Sequence, residues 1–406
     1  MPRKMIVETA ISIKNADWLG LSETRSIVKA LGSERMRFVG GAVRDALLAR
    51  PVTDIDVATL LEPVDVMARL EAVGIKAVAS GFSHGTITAV TDSRSFEITT
   101  LRKDAETFGR HARVEFTDDW EIDASRRDFT INALYADAEG KVYDPLGGMS
   151  DLAGPVIRFI GDAFTRIEED ALRILRFFRL SAELGVKDID QGGLKATVER
   201  KHLLGTLSSE RIRNELLKLL AAPEPAACLM VMTEAGILRE ILPDISDLSG
   251  LRSLLISEDK QKVCDPLRRL YALICGNGGS VQKFSEALKL SRKESDRLAA
   301  MEKVIRLMAG SPEKQNLEEV LYTFGREAAR DALYLTAGQD LGVRLKQLET
   351  QDIPIFPLSG AELKACGYSE GEALGKALAT LEGKWIRGGF RASKKALLNE
   401  LQKQQA

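Results

Sequence analysis

The stretch MRFVGGAVRDALLARPVTDIDVATL (36–60) decides the fold. Residues 36–41 form a short apolar run ending in Gly40-Gly41, and residues 42–50 continue with helical spacing and no breaker before Pro51. That is strand, tight turn and helix. TDIDVATL (53–60) then alternates, as a half-buried strand does. Further on, ITAVTDSRSFEITTL (87–101) reads as two strands around the turn residues Asp92 and Ser93, and KVYDPLGG (141–148) as a strand entering a glycine-rich turn. A small domain of mixed sheet and helices is expected to end near residue 150.

Helical spacing then runs almost unbroken, with stops at Gly154-Pro155, Gly185, Pro223, Pro225, Pro243, Gly276 to Gly279 and Pro312. The expected fold class is α+β, a mixed-sheet head over 1–150 followed by an all-α remainder. That remainder is expected to divide into 151–221, 222–351 and, from the break DIPIFP (352–357), a helical tail over 352–406.

With 406 residues the chain is too long for one compact core, and 45% hydrophobic with 29% charged residues is ordinary globular composition. A net charge of -2 offers no global attraction to a nucleic acid, so any such site needs Lys and Arg gathered on one face. Cys228, Cys264, Cys275 and Cys366 lie far apart with no CxxC spacing, which excludes a zinc site and reads as reduced thiols. His84, His111 and His202 have no Asp beside them, which excludes a His-Asp phosphohydrolase centre. The first twenty residues lack a signal-peptide apolar core, and no later run is long enough to span a bilayer, so a cytoplasmic protein is expected.

Asp54 and Asp56, two apart in a strand, point to one face with roughly 7 Å between them along the chain. Such a pair can hold hard divalent cations, and phosphoryl-transfer enzymes clamp two of them about 4 Å apart. Glu97, an acid between Phe96 and Ile98, is the candidate third carboxylate from a neighbouring strand. Upstream, Gly40 and Gly41 stand where a strand meets a helix N-terminus, where free N–H groups and close backbone approach suit a phosphate. Arg44, one turn in, can add donors to the same anion; its alternative is a pair with Asp45 or another surface acid. Phosphate cradle, helix and metal carboxylates in this order form a nucleotidyltransferase layout.

These residues resemble a known family. GGAVRDALLARPVTDIDVAT (40–59) is similar to the first motif of the class II CCA-adding enzymes, within the polymerase-beta-like nucleotidyltransferases. RRDFTINALYAD (126–137) resembles their second motif, DPLGGMSDL (144–152) the hinge motif and RIEEDALRILRFFR (166–179) the template motif. RKDAETFGRHARVEFTDDW (102–120) resembles the flexible loop, and SSERIRNELLKLL (208–220) the helix-turn motif closing the neck. The likeness is specific through the first half of the chain and general beyond residue 221.

The resemblance implies a tRNA nucleotidyltransferase that adds C, C and A to tRNA from CTP and ATP, with two Mg2+ ions at Asp54 and Asp56, and Glu97 completing the acidic cluster. It implies nucleotide contacts from Gly40, Gly41, Arg44, Arg126, Arg127, Asp128, Asn132, Asp170, Arg173 and Arg176. Arg126 to Asn132 are expected on a helix capped by Asp123 or Ser125, with Asp128 and Asn132 sharing a face at i,i+4. Surface ion pairs are the alternative for Arg127 and Asp128. Asp170 and Arg173, at i,i+3 on one helix, are expected to read the base; the alternative is a plain intrahelical pair, with Glu169 to Arg173 at i,i+4. A cytosine or adenine edge offers an amino donor to Asp170 and a ring-nitrogen acceptor to Arg173, whereas uracil and guanine reverse that polarity.

The nearest competitor is a bacterial poly(A) polymerase with the same head. That group carries a Gly-Arg-Arg-Phe type run after the metal strands, where this chain reads SFEITTLRKD. Partial A-adding or CC-adding activity is the next alternative, and CC-adding relatives lack the flexible loop. Residues 103–113 are expected to be a mobile loop that re-fits the pocket from C to A. Lys364, Lys376, Lys384, Arg387, Arg391, Lys394 and Lys395 of the tail are expected to bind the tRNA body, or else to form an ordinary solvated face.

Overall fold

The computed structural model describes residues 8–106, 113–309 and 315–405. The chain divides into two compact units, Met1–Pro243 and Asp244–Ala406.

The first unit holds strands β1 (Glu8–Ser12), β2 (Met36–Val39), β3 (Ile55–Thr59), β4 (Lys76–Gly81), β5 (Thr86–Val90), β6 (Ser95–Thr100), β7 (Arg102–Glu106), β8 (Arg113–Phe116), β9 (Tyr135–Ala136) and β10 (Lys141–Tyr143). Eight form one sheet in the order β1-β10-β9-β2-β3-β6-β5-β4, and β7 pairs with β8 in a separate ribbon. Only β3 and β6 pair in parallel within the large sheet. The strands expected at 53–60, 87–101 and 141–148 are all present, around the predicted turn at Asp92-Ser93. Residues 107–112 of the expected loop, His111 included, lie outside the described residues.

Period-two alternation makes this sheet two-faced. Ile55, Val57, Phe96 and Ile98 are at most 1% exposed. Asp56 and Glu97, between them in β3 and β6, are therefore turned to the opposite face. On the apolar side lie helices α1 (Ser22–Leu31) and α3 (Pro63–Ala72), whose Ile27, Leu31, Val66 and Leu70 are also buried. Between them in sequence, α2 (Gly41–Leu47) follows β2 directly and packs on β2 and β3.

The remaining helices of this unit are α4 (Trp120–Ser125), α5 (Gly148–Ala153), α6 (Ala163–Glu169), α7 (Leu172–Leu184), α8 (Gln191–Arg200), α9 (Ser209–Ala221), α10 (Pro225–Glu234) and α11 (Leu238–Ile241). Two differ from the sequence expectation. α4 ends at Ser125 and is capped by Asp119, whose carboxylate accepts from the Glu121 and Ile122 N–H groups, so Arg126 to Asn132 are not on an α-helix and only Thr130–Asn132 make a short 3-10 turn. The backbone there is drawn off by residues 158–160: Thr130 N–H donates to the Arg158 carbonyl and Ile160 N–H to that of Asp128. RIEEDALRILRFFR is two helices rather than one, broken at Asp170, which is extended (φ -152°, ψ 103°).

An aromatic cluster fastens α7 to this segment. Phe129, Phe159 and Phe177 have ring centroids 4.8 to 6.3 Å apart, and Phe178 stands edge-on to Phe177 at 5.3 Å. Such contacts contribute about 0.5–1.5 kcal/mol each beyond area burial.

Among its described residues the second unit holds helices and no strand: α12 (Ser249–Gln261), α13 (Pro266–Gly276), α14 (Val281–Ala287), α15 (Arg292–Ala309), α16 (Gln315–Thr336, kinked at Gly325), α17 (Leu341–Thr350), α18 (Gly360–Ala365), α19 (Glu372–Arg387) and α20 (Lys394–Gln405). Buried Glu258 takes Arg268 and Arg269 at 2.8 and 2.7 Å, and buried Asp331 takes Arg268 and Arg297. In the tail, Leu363, Leu381, Trp385 and Leu397 make a small core. Four of its seven singled-out cations are paired internally, Lys364 to Glu370, Lys376 to Glu372, Lys384 to Glu400 and Lys394 to Glu362.

Candidate active site

Strand register assembles the acidic group. Asp56 lies opposite Glu97 in the parallel β3–β6 pair and opposite Val39, the last residue of β2, on its other side. Burial and the Glu97 carboxylate push the Asp56 carboxyl up to about 6; Arg127 and Arg176 pull against this and Asp54 adds to it. Gly40 follows Val39 with φ +70°, and a Cβ there would stand 3.6 Å from the Asn132 carbonyl and 3.9 Å from both Asp56 and Arg127. Those are ordinary contact distances, so glycine is needed at 40 for its left-handed conformation and not for space.

A second buried carboxylate organises the arginines. Asp123, 1% exposed, accepts from Arg126 at 2.7 Å, Arg127 at 3.0 Å and the Tyr135 hydroxyl at 2.8 Å. Burial alone would raise its carboxyl, but Arg127, Arg126 and the Tyr135 hydroxyl outweigh it and hold it at about 2. Arg127 also donates to the Tyr135 oxygen at 3.2 Å. Arg127 and Asp128 are thus not surface pairs on an amphipathic helix.

Asp128 accepts from the Asn132 amide at 3.0 Å, so these two meet although the backbone between them is not an α-helix. Its other oxygen takes Arg176 Nε at 2.7 Å. Burial raises this carboxyl too, but Arg176, Asn132 and the Phe129 N–H bring it down to about 2. Asn132 accepts from Arg44 at 2.6 Å, and Arg44 forks onto its neighbour Asp45 with two contacts of 2.9 Å. The Arg44–Asp45 pair is therefore made, and three of the five N–H donors of Arg44 are committed inside the protein.

Asp170 and Arg173 do not pair with each other. The Asp170 oxygens accept from the Leu172 N–H at 3.1 Å and from Arg211 at 2.8 Å. Arg173 donates to Glu169 at 2.5 Å, to the Arg166 carbonyl at 2.7 Å and to the Arg126 carbonyl at 3.2 Å. At the helix break the Asp170 carboxylate turns to the Leu172 N–H and to Arg211, which leaves the Arg173 guanidinium to Glu169, the alternative i,i+4 partner.

An open cavity of about 880 Å³ collects these groups. Gly40, Gly41, Arg44, Asp54, Asp56, Arg126, Arg127, Asp128, Asn132, Asp170, Arg173 and Arg176 all line it; Glu97 does not. The lining also includes Arg50, Arg179, Glu183, Arg211 and Lys218, which the sequence reading missed. A signal was there to find. Arg173, Arg176, Arg179 and Glu183 recur at three- and four-residue spacing along α7, a polar stripe on an otherwise largely apolar helix, and Arg211, Glu215 and Lys218 do so along the more polar α9.

The donor set suits a hard divalent ion. Asp54, Asp56 and Glu97 form no ion pair among the described residues, and the Asp56 carboxyl is raised by burial first and by the neighbouring Glu97 and Asp54 charges second, a charge crowding that a cation would relieve. No group of three or more His, Cys, Asp or Glu side chains among the described residues is placed to hold an ion unaided. Mg2+ commonly takes one or two carboxylates and completes its shell with water and substrate phosphate, so the Asp pair fits it.

Residues 36–158 match the family described as Poly A polymerase head domain, and residues 188–248 the one described as Probable RNA and SrmB- binding site of polymerase A. The mitochondrial CCA tRNA nucleotidyltransferase 1 of Danio rerio is 35% identical over 381 residues, 90% of this chain and 86% of that protein. The Geobacillus stearothermophilus CCA-adding enzyme is 32% identical over 373 residues, 89% of this chain and 88% of that one. A solved structure of the Bacillus stearothermophilus CCA-adding enzyme in complex with CTP matches with a TM-score of 0.77 at 27% identity, over 97% of this chain and 99% of that one. The Thermotoga maritima CCA-adding enzyme complexed with tRNA shares the fold, with a TM-score of 0.62 at 19% identity over 94% and 95%. Similarity of this extent, carried through the acidic strand, the glycine turn and the helices beyond them, makes the chain a member of the CCA tRNA nucleotidyltransferase family.

Proposed function

We propose that this chain adds C, C and A to the 3′ end of tRNA from CTP and ATP, without a nucleic-acid template, in the cavity lined by Asp54, Asp56, Asp170 and Arg173. The observation that carries the reading is that Asp54 and Asp56, which form no ion pair among the described residues, line the same cavity as the charged acceptor Asp170 and donor Arg173. Asp54 and Asp56 would hold Mg2+, two ions by family analogy, which supplies Lewis-acid stabilisation of the triphosphate and of the attacking hydroxyl. Gly41 and the first turn of α2 offer backbone N–H groups to phosphate, the Gly40 N–H being spent on the Leu134 carbonyl. Arg126 and Arg127, steered by Asp123, and Arg176, steered by Asp128, add charge around the nucleotide. Glu97 shapes the field at Asp56 rather than lining the cavity.

The base is chosen by complementarity. Asp170 accepts from the amino group of cytosine or adenine, and Arg173, with two N–H donors left over from its three internal contacts, donates to the ring nitrogen. The head (1–150) carries the chemistry, the neck (151–221) reads the base, and the body (222–351) and tail (352–406) hold the tRNA. Cytoplasmic placement belongs to the same proposal. Among the described residues no helix is long and apolar enough to cross a membrane, but the Danio rerio relative is mitochondrial, so cell fractionation is the test.

The direct test is to incubate the protein with Mg2+, CTP, ATP and a tRNA ending at the discriminator base, and to sequence the products. Three added nucleotides and a stop establish the proposal. A long A tract establishes poly(A) polymerase instead, and addition of CC or of A alone establishes a partial enzyme.

A further inference from the structure

The two halves of the proposed base reader are held by different parts of the protein. Arg173 is fixed by Glu169 and the Arg166 carbonyl of α6 and by the Arg126 carbonyl. Asp170 stands at the α6–α7 break, and among the described residues one side chain hydrogen-bonds its carboxylate: Arg211 of α9, with Nη2 2.8 Å from Oδ2. Its other oxygen rests on the Leu172 N–H. Both members of the Asp170–Arg211 pair are about one third exposed, at 34% and 35%, and pairs that wet contribute little to stability. The contact is therefore poorly explained as a staple between α7 and α9, which already bury Ile174, Phe177, Leu216 and Leu220.

We infer that Arg211 is a specificity-determining positioning residue, which sets the plane of the Asp170 carboxylate so that its spare acceptor sites face the amino group of an incoming C or A. The inference rests on the proposal that Asp170 reads the base. A carboxylate has about four acceptor sites. With one site on each oxygen occupied by Leu172 and Arg211, both oxygens keep capacity for a further donor. Those occupied sites also pin rotation of the group. Released from Arg211, the carboxylate can turn about its Cβ–Cγ bond, a soft torsion, and accept a hydroxyl or water in place of the amino group. Discrimination against uracil and guanine depends on presenting lone pairs, and no proton, at one fixed place.

The test compares kcat/KM for CTP and for UTP, and for ATP and GTP, in the full-length protein and in Arg211→Ala, Arg211→Lys, Asp170→Ala and the Asp170→Ala, Arg211→Ala double variant, with thermal melts confirming that each folds. Arg211→Ala is expected to lower the CTP-over-UTP preference roughly tenfold, as for coupled groups of one network. Arg211→Lys should recover part of the loss, because a lysine restores one charged donor without the rigid fork. In the Asp170→Ala background, Arg211→Ala should have no further effect. If Asp170→Ala loses preference while Arg211→Ala keeps it, or if the two losses add, the positioning role is overturned and the base-reading proposal stands. If Asp170→Ala itself keeps wild-type preference, the base-reading proposal falls and takes this inference with it.

Discussion

Asp128 and Arg176 meet at 2.7 Å across 48 residues of sequence, and the phenylalanines that follow them, Phe129 and Phe177, pack 6.3 Å apart. Aromatic packing thus sets the geometry of an ion pair in the cavity. Arg176→Ala should leave a buried carboxylate without its main partner. Breaking a fully buried pair costs about 3–5 kcal/mol. Because Arg176 is itself 32% exposed, about 2 kcal/mol is expected here. Urea unfolding of the variant measures it, and an unchanged midpoint would show that water replaces the guanidinium at no cost.

Asp123 and Asp128 give a pH dependence with a definite sign. Each carboxyl is held at about 2 in the folded protein, against an ordinary value of 3.8. Between those values the unfolded chain binds more protons, so stability is fully present above about 4 and is lost as pH falls toward 2. Each group contributes about 2 kcal/mol of that loss. Asp123→Asn should be less stable at neutral pH and should show a shallower fall between pH 4 and 2. Equal slopes for variant and wild type would place the acid sensitivity elsewhere.

Among the described residues Asp54 and Asp56 form no ion pair, with Arg127 and Arg176 acting on Asp56 only through their charge, which separates their role from stability. Asp54→Ala and Asp56→Ala should abolish nucleotide transfer, while melting temperature and tRNA binding stay near wild type. Asp56→Ala removes a carboxyl that burial and Glu97 disfavour in its charged form, so a small gain in stability is expected for it. Full transfer activity in either variant would remove the metal assignment.

Much of this was legible from local pattern. The stretch 36–60 announced β2, α2 and β3 because a glycine pair, a breaker-free run and an alternating strand are short-range signals. Strand β4 was not foreseen; its residues read KAVASG, which lack the β-branched and aromatic weight of β5 and β6. Non-local structure defeated the reading elsewhere. Arg126 to Asn132 have helical character until the backbone of residues 158–160 claims them, and Asp170 interrupts a stretch whose apolar period looks continuous. Asp123 was read, with Ser125, as a candidate cap; Arg126 and Arg127 stand three and four residues on, but the burial and the Tyr135 hydroxyl from β9 leave no local trace.

Selection between bases is the most demanding consequence of the proposed activity. Arg173 cannot swing freely, since Glu169 and two backbone carbonyls hold it, and Asp170 is tied at both oxygens. A rigid acceptor beside a rigid donor is complementary to cytosine and adenine. Uracil or guanine would set a carbonyl against Asp170 and an N–H against Arg173, leaving buried polar groups unpaired at about 1–3 kcal/mol each. At about 1.4 kcal/mol per factor of ten, two such mismatches amount to roughly 30-fold discrimination or more. Asp170→Ala and Arg173→Ala should therefore lose selectivity as well as rate, with UTP and GTP incorporation rising relative to CTP and ATP in competition assays read by product sequencing. If both variants are slower but keep wild-type base ratios, these two side chains serve only to join α6, α7 and α9, and the protein's template lies among the other cavity residues.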